Sequence, residues 1–360
     1  MAEEKRRKRS PRFVEIAAAA GVSVATVDRV LNQRGSVSEA ARAGVIAAAR
    51  RLGVPRILPS PSHALVHFDV LLPDSPTPFF RRLRSAFADS GSFFDKRFVV
   101  HRRIIREDRE DLLVQAIAAP DYPRRGLAVA APDTPAVRAA LGLALGRGEA
   151  IAAVVSPVAG AGELAYVGID NYRAGRTAGL ILGRFARKPG RVMFLSGHND
   201  WNAHLARTAG CREALDGAFP LLRCDPAQME TQDDEARCYE AVADALRTTG
   251  LAGLYNSGAG SDGIVRALER FDPGREVVWV THELSDDHRQ YLRSGVLDMV
   301  IDQDPDMQAI SALRYLVQMV EASHVRPSSE GWSCEFRLYF AENLSEGIYF
   351  APSPEGRRRP

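Results

Sequence analysis

Cysteine is scarce in this chain, and long apolar runs are missing. Four cysteines stand among 360 residues, Cys211, Cys224, Cys238 and Cys334, with no C-x-x-C spacing, so reduced thiols are the default. No stretch stays apolar over the ~20 residues that a membrane-crossing helix needs. The basic N-terminus leads into an amphipathic segment instead of the short apolar core of a secretion signal. Catalytic signatures are also wanting, with no G-x-S-x-G, Walker A or H-E-x-x-H run. His198 and His204, with Asp200 between them, come nearest to a metal cluster, but a six-residue spacing does not put both imidazoles on one helical face. Neither a metal, a cofactor nor a catalytic residue is expected.

Charge is present but unevenly spread. Residues 1–58 hold twelve Lys or Arg against five Asp or Glu, so roughly +7 of formal charge lies there and roughly −5 in the remainder, giving the total of +2. Such asymmetry favours phosphate contact at one end only. Lys5 to Arg9 reads either as a disordered, solvated tail or as a nucleic-acid-contacting arm.

That basic end contains FVEIAAAAGVSVATVDRVLNQRGSVSEAARAGVIAAARRL, from Phe13 to Leu52, which reads as three short helices. Phe13, Ile16, Ala17 and Ala20 recur at helical spacing, and Gly21 permits the backbone turn that ends the first. Ser23 is suited to cap the second helix, whose buried stripe is Val27, Val30 and Leu31. Val24 then lies near its N-terminal end, and Ala25, Thr26, Asp28, Arg29 and Asn32 on or beside the outer face. Small and hydrogen-bonding groups of this kind suit a recognition helix in the major groove. After the Gln33-Arg34-Gly35 loop, Ser38 caps a third helix with Ala41, Val45, Ala48 and Leu52 inward, and Gly53 stops it.

GVSVATVDRVLN followed by VSEAARAGVIAAARRLG resembles the head of the lactose-repressor (LacI) family of bacterial transcription regulators, and the resemblance continues through nearly the whole chain. It implies Val24 and Ala25 as the main base-reading pair, with Ser23, Thr26, Arg29 and Asn32 on phosphates or adjacent bases. Asp28 stands where the family usually has Ser, and Arg12 where it usually has a Thr cap. A carboxylate near phosphate repels it, so Asp28 is expected to pair with Arg29 or another local cation, or to accept from a cytosine amino group. The family's minor-groove helix is also altered. In VPRILPSPSHALVHF, Pro59 and Pro61 break an ordinary helix, leaving only Ser62 to Leu65 for a turn. Ile57, Leu58 or Leu65 are the wedge candidates, but a plain linker is the expectation.

From His67 onward short apolar runs alternate with amphipathic stretches. Strands are predicted at Val66–Leu72, Phe98–Arg102, Leu127–Ala130, Ile151–Val155, Val192–Leu195, Leu251–Tyr255, Val277–Val280 and Leu297–Ile301. Helices are predicted at Phe79–Ala88, Arg109–Ala118, Ala136–Leu145, Ala174–Phe185, Asn202–Leu215, Glu235–Leu246, Ile264–Glu269 and Pro305–Glu321. The alternation specifies an α/β chain of parallel sheets flanked by helices, with too many strands for one sheet.

The resemblance implies an all-α helix-turn-helix head on a two-lobed, periplasmic-binding-protein-like domain of the ribose-binding type. Its boundaries are 1–55 for the head, 56–65 for the linker, 66–345 for the effector domain and 346–360 for a tail ending in EGRRRP. Lobe 1 covers about 66–166 and 303–333, and lobe 2 about 167–302 and 334–345. Crossovers are assigned to YVGIDN from Tyr166, VIDQDP ending at Pro305, and FRLYFAENL from Phe336. In the cleft it implies Arg207, Asn256, Gln303 and Asp133, with Phe79 and Phe80 against a sugar ring and Asp74 and Ser75 nearby. For at least one of those two aromatics, core packing is the expected role.

Where many sugar-binding relatives carry Asp, this chain reads Thr281-His282-Glu283-Leu284; His282, with Trp201 and His198, hints at a polyol or sugar acid. The rival signal is Gly258-Ala259-Gly260-Ser261-Asp262-Gly263, a literal G-x-G-x-x-G with Glu283 about 20 residues on, as a dinucleotide site requires. The expected function is a cytoplasmic, homodimeric regulator, a repressor, whose operator DNA affinity is set by a sugar-like small molecule, with no membrane partner. The alternatives are a sugar sensor with a degenerate head and a dinucleotide-binding enzyme.

Overall fold

The structure, a computed structural model, describes residues 13–32, 34, 36–54, 65–90, 94–160, 162, 164–322 and 332–345. Arg12, the Lys5 to Arg9 run, Gln33, Gly35, the linker positions Ile57, Leu58, Pro59, Pro61 and Ser62, and the 346–360 tail lie outside them. The chain divides into two compact units, one up to Val66 and one from His67.

The first unit contains α1 (Phe13–Ala20), α2 (Val24–Leu31) and α3 (Glu39–Arg51). Gly21 turns the chain between α1 and α2 at φ +66°, a conformation that costs glycine no Cβ clash. The Ser23 hydroxyl accepts the Thr26 N–H at 3.1 Å, and Ser38 accepts that of Ala41 at 3.4 Å, so each helix starts on a side-chain cap. Ile16, Ala17, Val27, Val30, Leu31, Val45, Ile46, Ala48 and Ala49 form the core. The third helix is rotated from the sequence reading. Ile46 and Ala49 are buried in place of Ala41 and Leu52, because the pairs 45–46 and 48–49 make one continuous stripe and Leu52 caps the helix, 36 % exposed.

The second unit begins with β1 (Val66–Pro73), α4 (Pro78–Ser90), β2 (Phe98–Ile105), α5 (Glu110–Ala118), β3 (Gly126–Val129), α6 (Pro135–Gly146), β4 (Ala150–Val154) and β5 (Ala165–Val167). The five strands form one sheet in the order β2-β1-β3-β4-β5. Then come α7 (Asn171–Phe185), β6 (Gly190–Ser196), α8 (Asn202–Ala218), β7 (Leu222–Cys224), β8 (Met229–Glu230), α9 (Glu235–Thr248) and β9 (Gly253–Asn256). The described chain ends with α10 (Ser261–Phe271), β10 (Val278–His282), α11 (Asp286–Ser294), β11 (Met299–Asp302), α12 (Pro305–Glu321) and β12 (Arg337–Tyr339). These build a second sheet, β12-β11-β10-β9-β6-β7, with β8 on β6. Its pairings are parallel except β11 with β12, which is antiparallel. All eight predicted strands and all eight predicted helices are present, β5 and β12 fall at the first and third assigned crossovers, and β7, β8 and α11 go beyond the prediction.

The chain passes between the sheets three times. It leaves β5 for α7, leaves β11 for α12, which packs on α4, β3 and β4, and returns to β12 beside β11. The first sheet is pinned at its base by the buried Arg124, which bonds Asp69 at 2.9 Å and Glu149 at 2.7 Å and also donates to the carbonyls of Ala116 and Ile117. Helices α7 and α8 cross without a side chain between them. A Cβ on Gly175 would lie 1.9 Å from the Arg207 carbonyl oxygen, and one on Gly210 would lie 2.1 Å from that of Tyr172. Only glycine permits that approach, and it sets the height at which Arg207 enters the cleft.

Candidate functional site

On the head, Val24, Ala25, Arg29 and Asn32 are exposed and Thr26 is half-buried, so the face carried by α2 is free of the core. The Ser23 and Thr26 hydroxyls bond each other at 2.9 Å. Asp28 departs from expectation. Its carboxylate accepts from the Asn32 amide at 2.7 Å instead of pairing with Arg29, whose Nε donates to the Ala25 carbonyl. Residues 28 and 32 are one helical turn apart, so a short Asp–Asn bond forms without ordering a long arginine side chain.

Between the two sheets of the second unit lies a cavity of about 350 Å³. The segment from Pro76 to Arg81, with Glu107 and Val155, forms one wall; the ends of β6, β9 and β10 and the first turns of α8 and α10 form the other. This is where the carboxyl ends of open α/β sheets place a ligand. Phe79 is buried and packs edge-on against Phe80 at 5.3 Å, while Phe80 meets Trp201 from the opposite wall at 5.7 Å.

Arg207 forms the polar floor. Its Nε donates to Asn171 at 2.8 Å, one terminal nitrogen to the Ser257 carbonyl at 3.1 Å and the other to Gln303 at 2.5 Å. Burial draws its pKa down, since no carboxylate bonds it. Three buried or half-buried histidines line the same cavity, each held below the usual imidazole range. Burial and the Arg207 charge lower His204 to about 3 and hold His282 well below the usual imidazole range, and burial also lowers His288. His282 Nε2 meets the Tyr255 hydroxyl at 2.7 Å, and His288 links the Glu283 carbonyl at 2.5 Å to Ser261 at 2.7 Å.

Phe79, Phe80, Trp201, Arg207, His282 and Gln303 line this cavity, together with His198. Four other expected contacts are placed elsewhere. Asp74 is exposed, and Ser75 is buried with its hydroxyl on Thr77 and its carbonyl on Arg84. Asp133 is consumed by Arg138, the Asn202 amide at 2.5 Å and the Ala159 N–H. Asn256 folds onto its own turn, donating to the Ala259 carbonyl and accepting the Gly258 N–H, and is fully buried.

Two charged residues were not singled out as cleft groups. Arg82 is fully buried on α4 and reaches Glu283 at 3.2 Å, Asp302 at 3.0 Å and Asp306 at 2.6 Å. Burial opposes its charge, but the three carboxylates more than offset that and hold its pKa up. Glu283 itself lines the cavity and sits at φ +66°. The readable signal was the spacing Phe79, Arg82, Leu83, Ala86, which puts an arginine in the apolar stripe.

Residues 68–323 match the periplasmic binding protein domain family, and residues 13–54 match the bacterial regulatory proteins of the lacI family. The chain belongs to the lacI family of regulators, with a periplasmic-binding-protein domain behind the head. No curated protein matches it significantly. The fold is shared with an ABC transporter solute-binding protein from Burkholderia graminis C4D1M in complex with D-arabinose. The TM-score is 0.70 at 18 % identity, over 79 % of this chain and 99 % of that one. It is shared also with GanP, a glucose-galactose binding protein from Geobacillus stearothermophilus, at TM-score 0.69 and 16 % identity over 78 % and 99 %. A solute-binding protein from Agrobacterium vitis bound with alpha-D-tagatopyranose gives 0.67 and 15 % over 78 % and 96 %.

This LacI-family member is a DNA-binding regulator with a ligand-binding domain, not an enzyme. Its G-x-G-x-x-G loop has the wrong electrostatics for a dinucleotide. The Ala259 N–H donates to the Asp233 carboxylate at 2.6 Å and the Gly258 N–H to the Asn256 amide oxygen, so of two amides that would cradle a pyrophosphate one already faces an acid and the other is taken. Among the described residues no group of three or more His, Cys, Asp or Glu is arranged to hold a metal, and no helix is long and apolar enough to cross a membrane.

Proposed function

We propose that this regulator is a repressor whose operator affinity is set by a small polyhydroxylated, sugar-like ligand held in the inter-lobe cavity. The observation that carries the reading is the cavity's two-sided chemistry. Its aromatic part offers the faces and edges of Phe79 and Phe80 from one wall and of Trp201 from the other, and its floor offers the buried Arg207 guanidinium with neutral partners only. A flat apolar surface opposite a fan of N–H donors matches a sugar ring, which has apolar C–H faces and hydroxyl acceptors at its edge.

The head contributes the DNA contacts. Val24 and Ala25 read bases, and Ser23, Thr26, Arg29 and Asn32 hold phosphates or neighbouring bases, in a homodimer on a pseudo-palindromic operator in the cytoplasm. Lobe 1 is assigned 66–166 with 303–333, and lobe 2 is assigned 167–302 with 334–345. Ligand and operator are coupled through a difference in ligand affinity between two states of the protein. Gel-shift titration of the full chain on DNA from its own upstream region, with and without sugars, polyols and sugar acids, tests this. Sequence-selective binding that a ligand weakens, with the ligand's effect lost in Arg207→Ala, is the expected outcome. Absence of selective binding at moderate salt overturns the DNA arm, and an effect that survives Arg207→Ala overturns the cleft.

A further inference from the structure

More carboxyl groups than guanidinium groups line the cavity. Glu107, Asp233, Glu235, Asp262, Glu283 and Asp287 line it, against the guanidinium groups of Arg81 and Arg207, and the histidines deep in it are neutral. The outer carboxylates, Glu235, Asp262 and Asp287, are exposed and act at long range, drawing cations toward the mouth. The inner ones behave differently.

Glu283 is the deepest of the six, with its side chain 8 % exposed. One oxygen, Oε1, bonds Arg82. The other, Oε2, is buried with no hydrogen-bond partner, and so is Nδ1 of the adjacent His282. Both residues face the cavity. Arg82 does not neutralise Glu283 alone, because Asp302 and Asp306 share the same guanidinium. Burial first, and repulsion by Asp302 second, push the Glu283 carboxyl well above its ordinary range despite Arg82. Asp233, also in the lining, is likewise held up by burial. A buried acceptor without a donor costs about 1–3 kcal/mol, and more when it is charged. A group that supplies both a positive charge and several N–H donors removes that cost.

Resting on the sugar-like reading of this cleft, we propose that the ligand is a hydroxylated amine, such as an amino sugar, whose ammonium is bound by Glu283 Oε2 and His282 Nδ1. The ring lies against Phe80 and Trp201, and its hydroxyls turn to Arg207. A neutral hexose reaches Arg207 equally well but leaves the acidic surplus uncompensated. A sugar acid adds to that surplus.

The test is titration calorimetry and thermal shift on the full chain at pH 7. The probes are glucosamine and galactosamine, their N-acetyl forms, the parent hexoses, gluconate and sorbitol. The free amines are expected to bind and to stabilise, and the N-acetyl forms and hexoses to bind at least about tenfold more weakly, the fold-change expected from one lost charged hydrogen bond. Glu283→Gln is expected to erase the preference of amine over parent hexose. The comparison among ligands on the wild-type chain needs no variant, so the proposal stays testable even if Glu283→Gln folds poorly. Hexoses, gluconate or sorbitol binding as well as or better than both amines overturns the amine assignment and leaves the sugar-like reading standing. Equal binding of amine and N-acetyl form, or a preference that survives Glu283→Gln, overturns the role of the charge. Failure of every probe overturns both.

Discussion

Replacing Gly175 by alanine tests whether the helix crossing behind the cleft sets the ligand site. The new Cβ would lie 1.9 Å from the Arg207 carbonyl oxygen, whereas such contacts essentially never fall below 3.0 Å. Both partners are helix backbone, so α7 and α8 must separate by roughly 1 Å or more, and overpacking of this kind costs about 1–3 kcal/mol. The separation carries Arg207 with it. Its bonds to Asn171, Ser257 and Gln303 now span 2.5–3.1 Å, and a shift of that size takes at least one beyond hydrogen-bonding range. A charged hydrogen bond contributes about 1.5–3 kcal/mol, so ligand affinity is expected to fall by about tenfold to a hundredfold. Urea unfolding and titration calorimetry measure the two effects. Gly217→Ala, on the same α8 with no atom within 4 Å of its added Cβ, is the control, expected to be neutral or slightly stabilising. Wild-type stability and ligand affinity in Gly175→Ala would refute the reasoning.

Three further outcomes are expected. Ser23→Ala removes the α2 cap and should cost the head about 0.5–2 kcal/mol, seen as weaker operator binding and a lower melting point for the head; an unchanged head would show that the cap carries nothing. Arg124→Leu leaves Asp69 and Glu149 without their central cation and should cost about 3–5 kcal/mol in chemical unfolding. The variant with Asp69 and Glu149 also made apolar should recover much of that loss. On acidification, His282 and His288 should stay neutral in the folded protein while their unfolded counterparts protonate near pH 6.5, so their contribution to stability is full above that pH and declines as pH falls below it. Glu283, held above the usual carboxylate range, works in the opposite sense, so Glu283→Gln should steepen the loss. Imidazole NMR signals of His282 or His288 that titrate near pH 6.5 in the folded chain would contradict this.

The head was legible because its signals are local. Gly21, Ser23 and Ser38 each act on the next three residues, and the stripe Val27, Val30, Leu31 shares one turn. In the second unit the eight longer strands announced themselves as apolar runs, whereas Leu222–Cys224 and Met229–Glu230 are too short to show a period. Helix α11 was missed because DDHRQYLRS is mostly polar, although the Ser285 cap and the left-handed Gly295 bracket it.

The resemblance, rather than any local signal, pointed to Arg207 and the aromatic pair, and all three line the cavity, with Phe79 also buried. Asp133 and Asn256 could not be settled, because a short polar side chain at a strand end serves a turn or a neighbouring lobe as readily as a ligand. Glu283 depends on which way a residue at positive φ points, and no periodicity reports that.

The lobes are joined directly on both flanks of the cavity. Asp133 bonds Asn202, the Ser156 hydroxyl accepts the Ala203 N–H, and Arg82 reaches Glu283. In kinetic terms such bonds would act as a gate on the proposed ligand. If a ligand reaches Arg207 only after they break, the rate of association should level off, at high ligand concentration, at the rate of opening. The same bonds re-form over a bound ligand and slow its escape. On the proposed function, the duration of the regulatory signal would then be set by the protein's own latches as well as by the ligand's affinity.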